Sequence, residues 1–123
     1  MSGAAMRRPE WLIAVLVSCL VVGGVWFVAT IGGAVGIARS DDWSYILTQF
    51  AFADSGQFVM NNWAVTMLIG QTLVAAPVVA VFGPSIAALQ ALVAVMSAGA
   101  LVVTYGLVRK VLPIGWAAFA VIT

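Results

Sequence analysis

Asp41 and Asp42 are neighbouring carboxylates in a chain that carries four acidic residues in all. Side-by-side carboxylates can ligate a divalent cation, or take a proton from a nucleophile as a general base. They have a structural reading as well. An Asp at a helix start accepts hydrogen bonds from orphan N–H groups and complements the helix dipole. Adjacent side chains point in different directions, so one pair can serve both ends. Three more polar side chains bear on the same region. Tyr45 and Gln49 fall on the helix face that carries Asp42, where they either line a polar groove or face lipid headgroups. Gln71 sits in an apolar run. An amide there needs hydrogen-bond partners, supplied by another helix or by a ligand.

Composition narrows the chemistry further. The 123 residues include no His and one Cys, Cys19, so neither an intrachain disulfide nor a Cys/His zinc site can form. Any metal is then a hard cation held by Asp, Asn or Gln oxygens. The net charge is +1 and the basic residues are scattered, which excludes the clustered basic face of a nucleic-acid binder. The chain is 64% hydrophobic and 7% charged. A soluble domain carries about 25% charged residues. Five basic and four acidic side chains cannot coat a water-facing surface. The composition therefore predicts an all-α integral membrane protein.

The elements that must position the acidic pair follow from this. Apolar stretches run over Trp11–Ile31, Trp63–Phe82 and Ser85–Val108, and another begins near Ile114. The first is about 21 residues and spans about 31 Å, the thickness of a hydrocarbon core. It exceeds the roughly 7–15 residues of a cleavable signal's apolar region, so it is expected to remain as a span. Arg7 and Arg8 ahead of it place the N-terminus in the cytoplasm and the acidic interval outside, periplasmic or extracellular, on a cell (inner) membrane protein. If all three stretches crossed, Arg109-Lys110 would face outward, against the positive-inside tendency. The middle stretch also carries Gly70, Gln71 and Pro77, and ends at Gly83-Pro84. The expectation is two transmembrane helices, about 11–31 and 85–108. An outer loop with two juxtamembrane helices joins them, and a further span starts at the C-terminus. Three plain spans are the alternative.

Within the outer loop, Trp43, Ile46, Leu47, Phe50 and Ala51 recur at helical spacing and predict an amphipathic helix. Ser40 or Asp41 can cap its start, and Ser55-Gly56 can end it. Asn61-Asn62-Trp63 reads as a cap followed by an interfacial aromatic anchor. Gly23-Gly24, Gly32-Gly33 and Gly36 are expected to allow close helix approach. Residues 1–123 are treated as a single membrane unit.

The order of these features resembles the N-terminal part of the GT-C class of membrane glycosyltransferases, near the protein-mannosyltransferase and aminoarabinose-transferase group. The residues that carry the resemblance are Ser40-Asp41-Asp42-Trp43-Ser44-Tyr45 after the first span, a short helix closing in Asp54-Ser55-Gly56, and a second helix closing in Val81-Phe82-Gly83. A span then runs from Pro84 to Arg109-Lys110. It covers about residues 7 to 112. Its motif is short. The resemblance implies transfer of a sugar from a polyprenyl-phosphate donor to an acceptor at the outer face. Asp41 and Asp42 would be catalytic, and Tyr45, Gln49 and Gln71 would bind substrate. Asp42 is also the candidate ligand of a divalent metal ion. Many relatives carry His-Pro-Pro or Glu-x-Pro-Pro where the second loop helix begins, and this chain does not. Relatives also have more spans, so the resemblance implies an N-terminal fragment whose partners are the bilayer and the remaining spans of a parent protein, and which is inactive alone. Two other classes fit the composition: a small non-enzymatic membrane subunit, and a transporter fragment in which Asp41, Asp42 and Gln71 line a path.

Overall fold

The computed structural model describes residues 8–38, 42–59 and 69–122. Among them are five helices and no strand: α1 Arg8–Ile31, α2 Asp42–Ser55, α3 Ile69–Phe82, α4 Ile86–Val108 and α5 Ile114–Ile122. Their ends have local causes. Pro9 sits in the first turn of α1, where a missing N–H costs nothing, and Glu10 there suits the positive end of the dipole. α2 stops at Gly56 (φ 69°), whose N–H donates to the Phe52 carbonyl at 2.8 Å. α3 stops at Gly83 (φ 71°), and Pro84 follows. Ser85 caps α4: its Oγ accepts the Ala88 N–H at 3.3 Å. Pro113 precedes α5 and accepts the Ala117 N–H at 3.0 Å.

Two of these helices are long and apolar enough to cross a membrane, α1 with 24 residues and α4 with 23. At about 1.5 Å per residue they measure about 36 and 34 Å, against a core of about 30 Å. Only 11% of the apolar window of α1 and 6% of that of α4 are buried within the chain. They match the spans expected at 11–31 and 85–108. α3 is apolar too, but its 14 residues reach only about 21 Å. The middle apolar stretch is thus helical from Ile69, and its first residues, 63–68, lie outside the described part, as do Asn61 and Asn62.

The chain divides into two compact units. One comprises residues 1–31 and 94–123. Its core is Ala14, Tyr105 and Ala117, with Leu101, Val102 and Val108 packed around it. Here α1 packs against α5, and Glu10 in the first turn of α1 meets Arg109, the residue after α4, at 3.3 Å. The other unit comprises residues 32–93. In it α2 packs against α3, and Ile46, Phe50 and Ala53 close over Ala75, Val79 and Leu89.

Polar side chains share the interior with the apolar cores, while many large apolar side chains face outward. Ser18, Ser44, Thr48, Gln49 and Thr72 are buried, whereas Leu20, Val28, Val81 and Phe82 are exposed. One expectation, for α2, gains detail, and another, for the glycines, is corrected. The apolar stripe of α2 splits: Ile46 and Phe50 pack inward, but Trp43 and Leu47 stay exposed. The small and polar Ser44 and Thr48 take the buried positions, because they let backbones approach closely. Gly23 and Gly24 face open space, while Gly33 and Gly36 take positive φ and turn a loop instead of packing a helix.

Candidate functional site

The approach to the acidic pair begins where α1 ends. Residues 32–38 form a loop that bends at Gly33 (φ 63°) and Gly36 (φ 82°), a region of backbone space that glycine enters without a Cβ clash. The loop is held from α4. The Gly36 N–H donates to Gln90 Oε1 at 2.7 Å, and Gln90 Nε2 donates to the Ile37 carbonyl at 3.2 Å. Asp41 lies outside the described residues. Asp42 is the first residue of α2, consistent with a helix that starts at the acidic pair.

Tyr45 and Gln49 occupy consecutive turns of α2, four residues apart on one face. Tyr45 is half-buried. Gln49 is only 3% exposed, so it faces protein and not headgroups. Beside them Ser44 is fully buried, with no hydrogen-bond partner for its Oγ. The Thr48 hydroxyl lies 3.2 Å from the Ser44 carbonyl and 3.0 Å from the Val59 carbonyl, one proton serving two acceptors. That second contact returns the chain after α2 to the helix, as does the tilted Phe52–Phe58 ring pair at 4.3 Å. Gln71 is half-buried on α3, the helix that packs on α2. Tyr45, Gln49 and Gln71 therefore belong to one packed pair of helices.

An open groove of about 540 Å³ runs between α2 and α3, walled by Leu47, Phe50, Ala53, Val79 and Pro84. Asp54 is the acidic residue among those that line it. Sequence reasoning placed Asp54 at the helix end and missed the groove, which exists only once the two helices pack.

A divalent ion such as calcium takes six or more oxygens. Beyond Asp41 and Asp42 the other carboxylates are distant or engaged. Asp54 stands at the far end of α2, about 18 Å along its axis, and Glu10 bonds to Arg109. Among the described residues no three metal-binding side chains gather. No protein-family model, curated protein or solved structure matches this chain.

Proposed function

We propose that the chain is the membrane part of a glycosyltransferase that moves a sugar from a polyprenyl-phosphate donor to an acceptor at the outer face of the membrane, as in the GT-C class that its sequence resembles. The observation that carries the reading is the order of elements. A spanning-length helix leads to an acidic pair at the start of a short helix, a second short helix follows, and then a second spanning-length helix. The many exposed large apolar side chains support a hydrocarbon surround, since lipid tails are as apolar as Leu and leave small and polar groups for helix contacts. The Glu10–Arg109 contact supports two crossings, because it joins the start of α1 to the end of α4.

On this reading Asp41 takes the acceptor hydroxyl's proton as that oxygen attacks the anomeric carbon. The new carbon–oxygen bond forms as the bond to the lipid phosphate breaks, and the phosphate leaves with the electron pair. A carboxylate suits the task because the proton must be accepted as the bond forms. Asp42, Tyr45, Gln49 and Gln71 bind and orient the substrates. The test is Asp41→Asn in the protein in its native membranes, supplied with radiolabelled polyprenyl-phosphate sugar. Transfer is expected to fall by at least about 100-fold, the lower end of a general base's contribution, with membrane insertion unchanged. Transfer at the wild-type rate would reduce Asp41 to a helix cap and end the proposal.

A further inference from the structure

The basic residues are scattered along the chain but not between its units. The unit of residues 1–31 and 94–123 holds Arg7, Arg8, Arg109 and Lys110 against Glu10 alone. Residues 32–93 hold Arg39 with Asp41, Asp42 and Asp54. Within the first unit, the 3.3 Å contact of Glu10 with Arg109 joins the first turn of α1 to the residue after α4. Arg8 opens α1, two positions before Glu10, and Lys110 follows Arg109. That end of the unit thus gathers basic residues from both ends of the chain around one acidic residue. Arg109 is already engaged, donating to Glu10 and to the Leu112 carbonyl, each at 3.3 Å. Lys110 is exposed, and its side chain has no partner among the described residues. Its backbone is fixed, the N–H donating to the Leu107 carbonyl at 3.2 Å. The chain neighbours of these charges are apolar, and Trp11, Val111 and Leu112 are exposed.

We propose that this end of the unit binds the headgroup of an anionic phospholipid, with Arg8 and Lys110 supplying the charge that Glu10 leaves uncompensated. The phosphate is selected by charge. A lipid is selected over a soluble anion by the apolar residues beside the cations, which offer the acyl chains a surface. Basic pockets between membrane helices hold anionic headgroups in this way, and each basic residue near such a surface is worth about fivefold in affinity. The site uses none of the residues assigned to sugar transfer, so the two assignments stand or fall separately.

The whole chain, immobilised in neutral detergent micelles, is titrated with radiolabelled phosphatidylglycerol or phosphatidylcholine, and the retained label gives each Kd. Phosphatidylglycerol is expected to bind about 5–25-fold more tightly, the contribution of one to two basic residues. Arg8→Gln/Lys110→Gln should bring the two lipids close to parity, whereas Arg39→Gln should keep the preference. If the double variant fails to fold, Lys110→Gln alone decides, with the preference expected to fall about fivefold. Equal affinity for both lipids in the wild type overturns the site. So does a loss in Arg39→Gln as large as in the double variant, which would make the preference a matter of net charge. Displacement of phosphatidylglycerol by inorganic phosphate, beyond that by chloride at equal ionic strength, would mark a free-anion site and overturn the lipid assignment.

Discussion

Glu10 and Arg109 are 99 positions apart in the chain and 3.3 Å apart in space. Both are mostly shielded, the side chains being 17% and 28% exposed. Arg109 also donates to the Leu112 carbonyl at 3.3 Å, and its Nε is buried without a partner. Such a cation depends on its carboxylate. Glu10→Gln is expected to destabilise by roughly 1.5–3 kcal/mol, the range for hydrogen bonds to charged groups. Glu10→Gln/Arg109→Met should recover part of that loss, because it leaves no lone shielded charge. Denaturant titration of the protein in micelles measures both, and strictly additive losses would show that the residues do not interact. Neither this pair nor the hold of Gln90 on Gly36 and Ile37 is legible in the sequence. Each joins residues far apart in the chain, where periodicity carries no information. Gln49 escapes for a related reason: its burial is decided by the helix packed beside it, not by its own stripe.

Element boundaries were far more readable, because the groups that set them are local. Ser55-Gly56 and Gly83-Pro84 announce helix ends, and Ser85 announces the next start. The long apolar runs announce α1 and α4 by length alone. What local pattern mistook was the role of the glycines in the apolar runs, since a glycine that packs and one that faces outward look alike in sequence. A substitution series separates the kinds. Gly83→Ala forces a Cβ into left-handed backbone (φ 71°) and should cost about 1–2 kcal/mol. Ser85→Ala removes the cap of α4 and should cost about 1 kcal/mol. Gly23→Ala meets nothing within 4 Å inside a helix and should stabilise by about 0.5–1 kcal/mol. Unfolding titrations in one detergent rank the three, and a destabilising Gly23→Ala would mean that this surface is covered.

For the whole molecule, two crossings and three crossings predict opposite fates for the residues after α4. In a Cys19→Ala background, Lys110→Cys is expected to resist a membrane-impermeant maleimide added to intact cells, and to react once the cells are opened. Ready labelling of intact cells would favour three crossings and put the acidic pair and Arg109-Lys110 on the same face. The unit formed by residues 1–31 and 94–123 is built from two separate stretches of chain, with residues 32–93 between them. Its seam at Glu10 closes only after position 109 has been made. At about 5–20 residues per second, a ribosome takes about 5–20 s to cover that interval. For that time the nascent α1 has no ionic mate, and the inserted segment has a head start in settling. Any arrangement that α1 adopts in that interval must be one that Glu10 can leave once Arg109 arrives.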